Sequence, residues 1–282
     1  MSEKIAKIGY FGKEGSFSHR AARLRFASAS LGAYPLVDQA FDALVRQEVA
    51  AIVVPIENAS SGTITDTVDQ LIRLHAGGEE NRYLVRECLS MPIHLVLLSV
   101  EAAVPSGVPY RKIFSHRAAL THARSWLRET FAGAELVEVE STSHAALLAK
   151  EQPGTAALAG EQVAEEYGLV VVRRDVQEAI ANRTKFYVVG AAFPDSQPAS
   201  HTSLVFEAAH RPGSLAIALN ALAIQGLNLT MIQSRPIPGR FDEYRFFIEF
   251  QNGGREEEAV RALRGETDSL SVLGSYPIVN LS

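Results

Sequence analysis

The hexapeptide Asn182-Arg183-Thr184-Lys185-Phe186-Tyr187 sets one hydroxyl between two cations, directly before the apolar run Val188-Val189. A hydroxyl set between two cations suits an anionic ligand. Polar residues at the mouth of a strand are where open α/β sheets place their ligands. Taken alone, an ordinary strand edge is the better reading. Other segments share the pattern, however. Pro55-Ile56-Glu57-Asn58-Ala59-Ser60-Ser61-Gly62-Thr63 follows an apolar strand with small hydroxyls and a glycine, and Ser115-His116 and Ser141-Thr142-Ser143 follow two later strands. Such strand ends bind oxyanions through hydroxyls and free backbone N–H groups. Helix capping by Ser61 or Thr63 is an equally good account of the first. Several strand ends converging on one cleft are harder to dismiss than any one.

An early turn, Gly9-Tyr10-Phe11-Gly12-Lys13-Glu14-Gly15-Ser16, occupies the place of a dinucleotide-binding loop, with Asp38 at a ribose-contact distance. Its glycines are spaced three apart where that loop needs two of them one residue apart. It reads instead as a glycine turn with Ser16 as N-cap, whose free N–H groups suit a carboxylate. His116 and His122 are six apart, which does not put both on one helical face for zinc. The sequence has no G-x-S-x-G and no P-loop, so a hydrolase elbow and a nucleotide cradle are both unsupported.

These residues need elements to hold them. The chain has 282 residues, 47% of them hydrophobic, enough for a full core and two domains. The net charge of −5 mixes both signs without a basic run, which argues against nucleic acid or an anionic membrane as partner. Cys88 is the one cysteine, so no internal disulfide forms and a reducing compartment is expected. The start lacks a signal-peptide core, and no apolar run is long enough to span a membrane. A cytoplasmic protein is expected.

From Ile5 to about Gly190, short apolar runs alternate with helical patterns, which predicts a mainly parallel α/β sheet. Expected strands are Ile5–Phe11, Ala51–Pro55, Ile93–Ser99, Arg111–Ser115, Glu135–Val139, Thr155–Ala159, Leu169–Arg173 and Phe186–Gly190. Expected helices include Phe17–Phe26, Phe41–Gln47, Thr65–Leu74, Ala118–Thr130 and Ala145–Glu151. A linker-like segment over 193–200 divides the chain into domains at 1–195 and 200–282. The second reads β, α, β, β, α, β over Thr202–Ala208, Ser214–Gln225, Asn228–Ser234, Glu243–Gln251, Glu256–Arg264 and Ser269–Ser275. That is the order of a ferredoxin-like unit.

Taken in order, the segments resemble a prephenate dehydratase with a C-terminal ACT domain, over nearly the whole chain. The resemblance rests on Gly12-x-x-Gly15-Ser16-Phe17, Glu57-Asn58 with Gly62, Ser115-His116, Ser141-Thr142 and Asn182-x-Thr184-Lys185-Phe186. In the C-terminal part it rests on Pro212-Gly213-Ser214-Leu215, Asn228-Leu229-Thr230 and Ser234-Arg235-Pro236. The family's Thr-Arg-Phe stands here as Thr184-Lys185-Phe186, its Glu-Asn-Ser as Glu57-Asn58-Ala59 and its Glu-Ser-Arg-Pro as Gln233-Ser234-Arg235-Pro236. Lys185 keeps the charge but lacks the planar fork that grips a carboxylate bidentately.

The resemblance implies a two-lobed, periplasmic-binding-protein-like catalytic domain followed by a regulatory ACT domain. It implies a cytoplasmic homodimer or homotetramer that converts prephenate to phenylpyruvate without a cofactor or metal. Thr184 would meet the departing hydroxyl. Ser16, Glu57, Asn58, Gly62, Ser115, Thr142, Asn182 and Lys185 would bind substrate, with Phe186 packed behind the threonine. Phenylalanine would bind the ACT domain at a subunit interface near Gly213, Ser214, Leu215, Asn228, Leu229, Gln233, Ser234 and Arg235. No chorismate mutase segment is expected before Ile5. Two alternatives stay open: an arogenate dehydratase, and a catalytically silent homologue that only binds an amino acid or aromatic acid.

Overall fold

The computed structural model describes residues 7–59, 62–76, 82–100, 110–174, 176, 182–191 and 197–282. A first lobe is built from β1 (Lys7–Phe11), α1 (Phe17–Arg25), β2 (Ser30–Tyr34), α2 (Val37–Val45), β3 (Ala51–Asn58), β4 (Gly62–Thr63), α3 (Thr65–Ala76) and β5 (Leu84–Pro92). The chain then crosses to a second lobe with β6 (Leu95–Ser99), β7 (Lys112–Ser115), α4 (Arg117–His122), α5 (Arg124–Thr130), β8 (Glu135–Glu138), α6 (Thr142–Glu151), β9 (Thr155–Gly160), α7 (Val163–Tyr167) and β10 (Val170–Arg173). It returns to the first lobe as β11 (Arg183–Gly190). The C-terminal module follows as β12 (His201–Glu207), α8 (Ser214–Ile224), β13 (Leu229–Pro236), β14 (Tyr244–Gln251), α9 (Glu256–Gly265) and β15 (Ser269–Tyr276), and β16 (Ile278–Asn280) ends it.

The first lobe's sheet has the order β16-β5-β11-β3-β1-β2 with β4 on β3, and the second lobe's has β10-β6-β9-β7-β8. Both are mixed. β11 pairs antiparallel with β3 and β5, and β6 pairs antiparallel with β9 and β10, while β1, β2 and β3 and also β7, β8 and β9 run parallel. The reason is topological. A strand that enters a lobe from the shared edge must run away from that edge, against the strands whose C-terminal ends form it. The two crossing segments lie side by side, with the Ile93 N–H donating to the Asn182 carbonyl at 2.8 Å. The result is a two-lobed, periplasmic-binding-protein-like α/β unit.

The C-terminal module has the strand order β13-β14-β12-β15 of a ferredoxin-like unit. It is packed on the first lobe. One apolar cluster joins Phe41, Val54, Leu71 and Tyr187 of the lobe to Val205, Met231, Phe247, Leu273 and Tyr276 of the module. β16 leaves the module altogether and pairs parallel with β5. Gly274 of β15 has φ +152°, and a Cβ there would lie 2.2 Å from the Val85 carbonyl oxygen of β5, so only glycine permits this approach.

Elsewhere the structure departs from the expected elements. Ala118–Thr130, expected as one helix, breaks at Ala123 into α4 and α5. The Thr121 hydroxyl donates to the Arg117 carbonyl at 3.0 Å, a contact that bends helices. β5 interleaves Arg86, Glu87 and Ser90 with its apolar residues and so hides its strand character. Buried Glu87 is held by the Arg25 fork of α1 at 2.6 and 2.7 Å. Ile5 and the first half of the expected linker, 193–196, lie outside the described residues.

Candidate active site

The candidate geometry begins at the start of β11. Successive strand residues face opposite sides of a sheet, and β11 has a separate apolar cluster on each side. Phe186 and Val188 pack toward the second lobe, whereas Tyr187 and Val189 pack toward the C-terminal module. Thr184 shares the Phe186 side and is 8% exposed. In the ladder it stands opposite Asn58. The Asn58 Nδ2 donates to the Thr184 Oγ1 at 2.8 Å and to the Asn182 Oδ1 at 3.1 Å. With its oxygen already accepting from Asn58, the Thr184 hydroxyl keeps its proton for another acceptor.

Lys185 and Glu57, also opposite each other in the ladder, stand on the other side. The Lys185 ammonium lies 2.9 Å from the Glu57 carboxylate and 3.5 Å from Glu249 of β14. The structure therefore does not bring Lys185 or Glu57 together with Thr184. Glu249 is fully buried and accepts from Tyr187 at 3.0 Å, Tyr276 at 2.9 Å and Thr230 at 2.8 Å. Burial opposes its charge, but Lys185 and those hydroxyl donors outweigh that and leave its pKa below the ordinary value. Burial likewise works against the Lys185 ammonium, and Glu249 and Glu57 overcome it, raising the pKa. Both ends stay charged at neutral pH. A glutamate inside Phe246-Phe247-Ile248-Glu249-Phe250 is the one sequence signal that could have exposed this cluster.

The remaining candidates line the edges where the lobes meet. Ser16 caps α1, its Oγ accepting from the His19 N–H at 3.2 Å, and Ser141 caps α6 in the same way from His144 at 3.1 Å. Thr142 is the first residue of α6. Both helix N-termini thus open at the lobe edges, where their dipoles favour anions. The edges touch. The Gln162 Nε2 donates to the Gly15 carbonyl at 3.1 Å, and Lys13 reaches Glu140 at 3.4 Å. Gly15 has φ +76°, and a Cβ there would meet the Glu166 Oε2 at 2.2 Å and the Val163 Cγ1 at 2.7 Å, so α7 docks on the bare glycine. Burial, then Glu14, push the Glu166 pKa up, and burial with Glu14 and Glu166 takes the Tyr10 phenol to about 12. Neither Gln162 nor Glu166 stood out in the sequence.

Ser115 is fully buried and gives its hydroxyl proton to the Leu158 carbonyl at 2.6 Å, which ties β7 to β9 and leaves no donor for a ligand. His116 caps α4, accepting from Ala118 at 3.3 Å. Gly62 pairs with Asn58 with φ +77°, while Ser60 and Ser61 lie outside the described residues.

In the C-terminal module a cavity of about 400 Å³ opens between the β12–α8 loop and the β13–β14 hairpin, lined by Arg211, Ser214, Leu215, Glu243, Tyr244 and Phe246 among others. Gly213, with φ +84°, precedes α8 beside it. Asn228, Leu229, Gln233, Ser234 and Arg235 do not line it. Arg235 instead grips Asp69 of α3, with Nε to Oδ1 at 2.6 Å.

The model of the prephenate dehydratase family matches residues 8–193, which contain both lobes and the Asn58–Thr184 pair. The chain belongs to the prephenate dehydratase family. The ACT domain model matches residues 202–267. The prephenate dehydratase of Amycolatopsis methanolica is 34% identical over 279 residues, which cover 96% of this chain and 88% of that protein. The solved prephenate dehydratase of Arthrobacter aurescens in complex with L-Phe superposes with a TM-score of 0.81 at 27% identity, covering 96% of this chain and 89% of that one. A solved quorum-quenching acylase, GqqA, also gives a TM-score of 0.81 at 24% identity, covering 97% of this chain and 98% of its own. That last likeness is one of fold.

Proposed function

We propose that this chain converts prephenate to phenylpyruvate and that Thr184 is the donor to the departing hydroxyl. The observation that carries this reading is the Asn58–Thr184 hydrogen bond of 2.8 Å beside the lobe edge, in a chain of this family. The electron pair of the breaking bond to CO2 enters the ring as the hydroxyl leaves with its own pair, and aromatisation drives both. Hydroxide is a poor leaving group, so a donor placed at that oxygen lowers the barrier, while water supplies the net proton. Asn58 polarises the Thr184 hydroxyl and fixes its direction. The N-termini of α1 and α6 hold the two carboxylates, and the packing of Phe186 behind Thr184 keeps the donor in place.

Phenylalanine is the effector in this reading, in the cavity beside Gly213, Ser214 and Leu215. Arg211 suits its carboxylate, Glu243 its ammonium, and Tyr244 and Phe246 its ring. The edge strand β13 and helix α8 carry Ile232, Ile217 and Ile224, exposed by 42%, 47% and 69%, a face suited to a second copy of the chain. A cytoplasmic homo-oligomer fits that face and the single buried cysteine.

The test is incubation of the purified chain with prephenate, or with arogenate, while the aromatic product is followed. Phenylpyruvate from prephenate alone is the expected result. No turnover of either, with binding retained, would leave a silent binding protein.

A further inference from the structure

Thr184 and Lys185 are neighbours on one strand, and Asn58 and Glu57 are their neighbours on the next. On one side of the sheet this pair of pairs makes the donor site, and on the other it makes an ion cluster with the C-terminal module. The Lys185 ammonium is the only link drawn from β11 to both Glu57, at 2.9 Å, and Glu249, at 3.5 Å, among the described ion pairs. Glu249 has no exposed surface, so Lys185 is the cation that compensates it. β14 therefore cannot slide along β11 without exposing or stranding a charge. β14 pairs along its length with β12, the strand that leads into the cavity loop at 208–215.

We propose that Lys185 is a positioning residue that touches no substrate and carries the state of the C-terminal module to the Asn58–Thr184 pair through Glu57 and Glu249. The inference rests on Thr184 being the donor of the proposed reaction. A ligand at the cavity acts only as far as it prefers one placement of β14 over another. Each placement sets where Lys185 holds Glu57. Because Asn58 is the next residue, it sets the direction of the Nδ2 that polarises Thr184.

The experiment compares the full chain with Lys185→Met, Lys185→Arg and Glu249→Gln. With prephenate, Lys185→Met is expected to lose on the order of tenfold in kcat while KM stays within about twofold, the split that marks loss of transition-state positioning. Lys185→Arg, which keeps the charge and the reach, is expected to recover most of the loss. A raised KM at unchanged kcat would mean that Lys185 touches substrate and would overturn the proposal. A second readout does not depend on turnover. Amide exchange at 56–59 and 183–187 is expected to rise about fivefold or more in Glu249→Gln, a change made in the other domain, while β1 stays unchanged. If the wild-type chain turns over no prephenate, the functional reading fails and exchange alone decides the link. Should Lys185→Met not fold, Glu249→Gln and Lys185→Arg decide it. Wild-type kcat together with wild-type exchange in Glu249→Gln would overturn the proposal.

Discussion

Replacing Thr184 by Val tests the donor role by keeping the branched shape and removing one oxygen. The structural loss is small. One N–H of the Asn58 Nδ2 keeps Asn182 Oδ1 at 3.1 Å, and the other, on a half-buried side chain within reach of solvent, loses its Thr184 acceptor. One hydrogen bond is worth about 1 kcal/mol net, which for a domain of this size moves Tm by about 2–4 °C. The catalytic loss is larger, since proton-donor help contributes on the order of 10² to 10⁴ in rate, or about 3–5 kcal/mol of barrier. The two scales separate cleanly. Steady-state assay of phenylpyruvate should show kcat down at least a hundredfold, with KM nearly unchanged and Tm lowered by only a few degrees. Thr184→Ser should keep most of the turnover, because the hydroxyl remains within reach of Asn58. A Thr184→Val enzyme with near-normal kcat and an altered KM would refute the donor role.

Gly15→Ala should prevent the lobes from meeting, because the new Cβ falls on Glu166 and Val163 and the φ of +76° is unfavourable; scattering should show a more open particle and kinetics a raised KM. Gly274→Ala should undock the C-terminal module from β5, seen as a split calorimetric transition where the wild type shows one. Stability should also fall in acid. The pKa of Glu249 is depressed, as are those of His19 and His201, in both of which burial disfavours the charged ring. In all three the unfolded chain takes the proton at higher pH than the folded one, so stability present at neutral pH is lost as pH falls. Lys185, Cys88, His201, Tyr187 and Tyr276 surround Glu249 electrostatically. Tm should begin to fall below the ordinary histidine value of 6.5 and fall further below 4.5, and Glu249→Gln should flatten the second part.

Much of this was legible in the residues. The β, α, β, β, α, β order of the C-terminal module was plain because its strands are mostly apolar, α9 is amphipathic, and α8, apolar on all sides, follows the Pro212-Gly213 turn. Thr184, Asn58 and Asn182 were legible as neighbours of strand ends. The error in placing Lys185 has a simple origin. With the strand begun at Phe186, the residues before it have no assigned side. The strand begins at Arg183, and alternation then sends Lys185 away from Thr184. Ser115 misled for a related reason, since a hydroxyl at a strand end can be spent on the neighbouring backbone. β5 was hidden by the polar residues set among its apolar ones, and β16, at three residues, is too short to show a pattern of its own.

The pairing of β16 with β5 has a consequence for the order in which the molecule is made. Residues 278–280 complete the sheet that residues 7–92 begin. During synthesis the first lobe must wait for β11, which lies between β5 and β3, and the outer edge of β5 then stays bare while the whole C-terminal module is still being translated. Domains usually fold as they leave the ribosome, but here the first to emerge is the last to be closed. An unpaired, largely apolar edge invites other chains. The nascent protein is therefore most exposed to aggregation until β16 arrives, and a nonsense change a few codons before Ile278 would extend that interval indefinitely.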